Sequence, residues 1–292
     1  MAADRGLDAT AAAGVDAAAL SAAGVDAAAL SAAGWAGRHA LALYAVLLAA
    51  ALATTVLAWL GHRRLAAWRT QARQAALVGI AARIGAGFAA IVTAAWLFAE
   101  LAEALGAGPR LGRLDQAFTD ALAASVPMGA LQVFAALTRL GDTATLTVLC
   151  IGVALALGVT GRRGLALGWV AAVAGNALLN TTLKRIFERV RPLHEGGLVL
   201  EHGFSFPSGH SSGSLVAYCM LAYVAVRVLP PRWHLPAACT AVALALTVGA
   251  SRVFLRVHFV SDVLAGFASG AAWLVVCVGS VELARWYRGR SA

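Results

Sequence analysis

Seven long apolar runs, separated by short loops rich in arginine, constrain this chain more than any other feature it has. They lie at about residues 40–60, 84–105, 143–160, 164–182, 212–230, 235–251 and 262–283. Crossing the hydrocarbon core of a bilayer takes roughly 20 apolar residues in a helix. An open strand could not satisfy its backbone there, so each run reads as a helix. A soluble reading fails on composition: 61% of the 292 residues are hydrophobic and 13% charged. Ordinary soluble domains carry roughly 25% charged residues. The expected fold is an all-α integral membrane protein. One more stretch, Ala117–Leu137, is moderately apolar but carries Asp120, Pro127 and Gln132. It is expected to lie at the membrane interface rather than across the bilayer.

Charge orients the helices. The net charge is +9, from 23 Lys and Arg against 14 Asp and Glu. Arg63, Arg64, Arg69, Arg73 and Arg83 separate the first two runs, and Arg162 and Arg163 join the third to the fourth. Arg232 joins the fifth to the sixth, and Arg285, Arg288 and Arg290 follow the last. Seven crossings put all these clusters on one face, which the positive-inside bias makes cytoplasmic. Counting Ala117–Leu137 as a crossing would strand Arg162 and Arg163 on the other side. Trp59, Trp68, Trp233 and Trp286 flank the same basic ends, as interfacial tryptophans do. The basic balance thus serves orientation, and no basic helix or aromatic platform points to nucleic acid. Cys150, Cys219, Cys239 and Cys277 stand singly inside apolar runs and form no metal or redox pair. Residues 1–38 are an Ala-rich tail in which GVDAAALSAA occurs at Gly14–Ala23 and again at Gly24–Ala33. No function is assigned to it.

The loops on the opposite face hold the chemistry. After the fourth run comes Lys184 … Arg191-Pro192, spaced KxxxxxxRP. If the helix continues, Lys184 and Arg191 lie two turns apart on one face, separated by about 10.5 Å. Two cations in one small volume suit an oxyanion, and arginine can grip two of its oxygens. Basic residues also anchor membrane helices, but the positive-inside bias speaks against spare arginines on this face. Pro207-Ser208-Gly209-His210 then opens the fifth run. Pro breaks the chain, Gly permits close backbone approach, and the helix start offers free amides. A plain helix-start turn would account for all but the histidine. The third motif is Ser251-Arg252 … His258 … Asp262, spaced SRxxxxxHxxxD. On a helix, His258 and Asp262 at i and i+4 would share a face. The carboxylate could then hold one ring nitrogen and free the other for attack. Asp262 as a helix cap, and His258 as a packed interfacial histidine, are the plainer alternatives.

Together these motifs resemble the type 2 phosphatidic acid phosphatase superfamily, which includes bacterial lipid-pyrophosphate phosphatases and vanadium haloperoxidases. Every signature position is matched, in order, over about residues 84–283. The resemblance implies a six-helix transmembrane phosphatase core at 84–283. The helix and basic loop at 39–83, the tail at 1–38 and a basic tail at 284–292 would lie outside that core. It implies that Lys184, Arg191 and Arg252 bind phosphoryl oxygens, helped by Ser208 and Gly209. His258 would be the nucleophile, Asp262 its orienting partner and His210 the acid for the leaving group. Arg185, Arg189 and Arg256 match no signature position and are read as headgroup or substrate-charge contacts. Gly266 and Gly270 form a GxxxG that is expected to pack helices.

No cofactor or metal is expected. Magnesium needs carboxylates, and Asp262, the one carboxylate in the signatures, is committed to His258; Glu188, Glu195 and Glu201 lack ligand spacing. The expected activity is metal-independent hydrolysis of a lipid phosphate or diphosphate. The expected place is a bacterial inner membrane, with the site facing the periplasm or exterior. A lipid phosphotransferase would use the same residues with an alcohol as acceptor. A haloperoxidase would be soluble, and an anion transporter would want its charges near the midplane between repeats. Neither the particular lipid nor the oligomeric state follows from the sequence.

Overall fold

The computed structural model describes residues 27–69, 75–192, 198–199 and 201–288, and within these all regular structure is helical. In chain order the helices are α1 Ala27–Arg38, α2 Ala40–Arg69, α3 Ala75–Gly106, α4 Arg110–Ser125 and α5 Met128–Leu137. They continue as α6 Thr143–Val159, α7 Arg163–Phe187, α8 Gly209–Val228, α9 His234–Phe254 and α10 Val260–Arg288. The runs 40–65, 84–106, 163–187, 209–228, 231–254 and 260–288 are long and apolar enough to cross a membrane. The expected all-α membrane fold is what the chain adopts. Helix α6, read as a seventh crossing, has 17 residues, or about 25 Å of helix. It stands at the short end of what can span. The stretch expected at the interface is not one helix. It breaks between α4 and α5 at Val126-Pro127 and bends there by 116°. Proline suits this break, since it lacks an amide for the ladder and opens α5.

Helix α8 is central, with α7, α9 and α10 packed around it. Between lipid-embedded helices there is no water to expel, so close van der Waals contact decides which faces meet. The GxxxG of α10 supplies that contact. A Cβ on Gly266 would strike the Ser208 carbonyl, and one on Gly270 would come 3.0 Å from the Ser212 Cα. Gly175 of α7 is likewise covered by the Trp273 ring, whose Nε1 donates to Ala172 O at 2.9 Å. On the opposite side of the bundle α2 lies on α9, where Tyr44 bonds Thr247 at 2.7 Å and meets the rings of Phe134 and Phe254. Most of α2 and α3 faces outward, with Leu57, Phe88 and Trp96 exposed as lipid-facing side chains are.

The Ala-rich stretch read as a tail is different from that reading over its last part. Residues 27–38 form α1 and pack on α4, with Gly37 seated against the Phe118 backbone. Alanine is the strongest helix former, so a run of it docks readily once a small residue admits a neighbour. Residues 1–26, and with them the first copy of the repeat, lie outside the described residues, as do Arg73, Glu195 and 289–292.

Candidate active site

Four helix ends meet at one end of the bundle: the C-termini of α7 and α9 and the N-termini of α8 and α10. One face of α7 carries Asn176, Asn180 and Lys184, spaced one turn apart. Asn176 reaches Ser212 at 3.3 Å and Asn180 reaches the Pro207 carbonyl at 3.4 Å. This polar stripe fixes the Pro207–His210 turn beside Lys184. Gly209 permits this close approach, because a Cβ would stand 2.9 Å from Asn180 Oδ1 and push that side chain aside.

Lys184 and Arg191 do not lie two turns apart on one helix. Helix α7 stops at Phe187, and Glu188 takes a left-handed conformation at φ 44° that turns the chain back. The two cations instead converge on one strand of loop. Lys184 Nζ donates to Phe204 O at 2.5 Å, and Arg191 Nε donates to Gly203 O at 3.0 Å.

His258 is not helical either, since α10 begins at Val260. Asp262, three residues into α10, reaches back to it. Its Oδ2 lies 3.4 Å from His258 Nδ1 and accepts the Phe259 amide at 2.9 Å. The carboxylate therefore both caps the helix start and faces the imidazole. Arg191 Nη1 stands 3.0 Å from His258 Nε2 and can only donate. Nε2 must then accept, which leaves the ring proton on Nδ1 toward Asp262. Burial pulls the His258 imidazole down to about 3 against the pull of Asp262, so the ring is neutral. The in-plane lone pair of the neutral imidazole thus faces the Arg191 guanidinium.

Arg252 is wholly buried at the end of α9. Its Nη1 donates to Thr138 Oγ1 at 2.8 Å, Nη2 bonds Glu201, and Nε has no partner. Glu201 also stands 4.0 Å from Arg191. Burial raises its carboxyl, but Arg252, His210 and Arg191 outweigh that and hold it below the usual range. Glu201 thus places a carboxylate among the cations that would grip a phosphoryl group. His210, on the first turn of α8, faces Asp142 Oδ1 at 2.9 Å. Ser208 caps α8 by accepting from Ser211, and its own amide bonds the Asp262 carbonyl at 2.9 Å. This last bond ties the second motif to the third.

The structure brings all eight expected residues to this one end, and adds several that the motifs did not name. Arg189, read as a headgroup or substrate-charge contact, is 12% exposed and instead bridges two carboxylates. Its Nη1 donates to Asp262 Oδ1 at 2.6 Å and Ser261 Oγ at 2.7 Å, and its Nη2 donates to Asp115 Oδ2 at 2.8 Å. Asp115 comes from α4, outside all three motifs, and also accepts from Ser261. Ser205 is buried and donates to Asp262. The one available signal was electrostatic: an arginine on the face expected to be poor in them needs a partner. Arg185 is exposed and Arg256 sits in a left-handed turn at φ 56°.

The PAP2 superfamily model matches residues 165–286, a range that contains every motif residue. Phosphatidylglycerophosphatase B of Bacillus subtilis is 42% identical over 113 residues, 38% of this chain and 55% of that protein. A lipid A 1-phosphatase of Rhizobium johnstonii is 33% identical over 123 residues, 37% of this chain and 47% of that protein. The chain thus spans about half the length of these curated relatives. A solved structure, the transmembrane PAP2 type phosphatidylglycerolphosphate phosphatase of Bacillus subtilis, superposes with a TM-score of 0.62 at 32% identity. That alignment covers 66% of this chain and 96% of the solved one. Because nearly the whole of a solved member is matched in both sequence and fold, and the family match spans all three motifs, this chain belongs to the PAP2 superfamily.

Proposed function

We propose that this protein hydrolyses a phosphate ester or diphosphate of a membrane lipid through a phosphohistidine at His258. The observation that carries the reading is the His258 ring: Nδ1 faces Asp262 and Nε2 faces Arg191. A phosphoryl group gripped by Arg191, Lys184 and Arg252 would stand in front of that lone pair. Such a group bears about −1.5 to −2 charges, which three fixed cations can neutralise together with the charge that develops in transfer. Nε2 attacks phosphorus, the bond to the lipid oxygen breaks, and the Nδ1 proton stays toward Asp262. His210, held by Asp142, donates a proton to the leaving oxygen. Water then attacks the phosphohistidine, His210 takes its proton, and phosphate leaves. The names of two relatives, a phosphatidylglycerophosphatase and a lipid A 1-phosphatase, support a lipid phosphate as substrate.

The arginine clusters at the far helix ends support a catalytic face on the periplasmic or external side. In a cysteine-free background, Leu198→Cys should react with an impermeant thiol reagent in intact cells and Thr160→Cys should not. The reverse pattern would invert the topology.

The mechanism is tested by separating the histidines. His258→Ala and His210→Ala should both nearly abolish turnover of a lipid phosphate. His210→Ala should keep activity on an activated aryl phosphate, whose leaving group needs no proton, and should accumulate acid-labile label at His258. His258→Ala should fail on both substrates. Labelling of the His258 variant would sink the assignment.

A further inference from the structure

A sizeable cavity lies away from the histidines. It has a volume of about 870 Å³ and lies between the start of α7, the end of α8 and the end of α10. Arg163 opens α7 and Lys184 nearly closes it, so about 31 Å of helix separates this cavity from the active site. That is the thickness of the hydrocarbon core, which puts the two sites in opposite leaflets.

The cavity is graded in polarity. Five arginines line it, Arg162, Arg163, Arg227, Arg285 and Arg288, while Ala171, Trp273, Val276 and Cys277 form its apolar wall. Arg227 is ion-paired with Glu282. The other four make no ion pair among the described residues. Interfacial arginines commonly anchor helix ends by reaching to the membrane surface. Here they surround a hollow of ligand size, and the Arg288 guanidinium lies over Gly164, where a Cβ would come within 3.3 Å. A neutral apolar molecule would leave four cations uncompensated, and a free anion would leave the apolar wall empty. One molecule with a phosphate at one end and an acyl chain at the other satisfies both.

We propose that this cavity is a binding site for an anionic phospholipid, held by Arg163, Arg285 and Arg288 in the leaflet opposite the catalytic histidines. The phosphodiester headgroup lies among the guanidiniums and one acyl chain runs along Trp273 and Val276. Basic hollows between membrane helices are suited to such headgroups. The bound lipid is not a substrate, because the lining holds no histidine or carboxylate to activate Cys277 or Ser280.

The test uses the full chain purified in detergent, titrated with dioleoylphosphatidylserine and read by native mass spectrometry. One lipid should bind preferentially, dioleoylphosphatidylcholine should bind at least tenfold more weakly, and millimolar inorganic phosphate should not compete. Removing three arginines at about fivefold each should weaken binding at least twentyfold in Arg163→Gln/Arg285→Gln/Arg288→Gln. The active-site variant Arg191→Gln should bind as wild type does. Activity of the triple variant on a soluble aryl phosphate reports that it is folded. Should it not fold, Arg285→Gln and Arg288→Gln must each weaken binding at least threefold on their own. Equal binding of the two lipids, displacement by phosphate, indifference to the arginines or loss in Arg191→Gln would each overturn the proposal.

Discussion

Arg189 should be the residue outside the motifs whose loss damages the protein most. Its guanidinium stands between two buried carboxylates, Asp115 and Asp262, whose side chains are 5% and 0% exposed. With His258 neutral, the group Arg189, Asp115 and Asp262 carries one net negative charge. Arg189→Gln raises that to two and removes charge-assisted bonds worth about 1.5–3 kcal/mol each. Removing one partner of a buried ion pair costs about 3–5 kcal/mol, which corresponds to a fall of roughly 10 °C in Tm. Asp115→Asn should cost far less, because it leaves Arg189 and Asp262 balanced. The decisive measurement is the double variant. Asp115→Asn should restore about 1–2 kcal/mol to Arg189→Gln, since the two sites share one charge balance. Thermal unfolding of the four proteins in detergent reads this cycle. Turnover should follow, with kcat falling about tenfold and KM little changed, because Asp262 loses the contact that holds it toward His258. If Asp115→Asn makes Arg189→Gln less stable still, or Arg189→Gln melts with the wild type, the balance argument is wrong.

In the proposed mechanism a phosphoryl oxygen displaces Glu201 from Arg252 Nη2. Glu201→Gln should therefore lower the Ki for vanadate by about tenfold, at the low end of one charge-assisted bond; an unchanged or higher Ki would refute the competition. His258 ionises near 3 when folded and near 6.5 when unfolded, so between these values the folded state holds fewer protons. Stability should then fall as pH is lowered from about 6.5, and His258→Asn should flatten that dependence of Tm on pH. Asp115, Asp142, Glu201 and Asp262 each already face a cation or imidazole. Activity should accordingly survive excess chelator, and abolition with rescue by magnesium would overturn the mechanism.

Much of this was legible in the chain itself. Length and apolarity of the runs suffice for a helical membrane protein, because lipid leaves the backbone no other way to satisfy itself. Spacing and residue type also sufficed to single out Lys184, Arg191, Ser208, Gly209, His210, Arg252, His258 and Asp262, which all gather at one end of the bundle. How they gather was decided in three dimensions. Extending α7 through Arg191 was a reasonable reading of a basic segment, but Glu188 turns left-handed and sends both cations onto the 203–204 loop. Asp262 was weighed as either a cap or an orienting carboxylate, and its Oδ2 meets both the Phe259 amide and His258 while Oδ1 holds Arg189. Asp115, Asp142 and Glu201 escaped because a carboxylate acquires its meaning from the charge it meets. Those meetings join residues 74, 68 and 51 positions apart in the chain. Local sequence records helix, turn and spacing, which are short-range preferences. The pairing of buried charges is set by which helix ends packing brings together, and only the folded bundle contains that information.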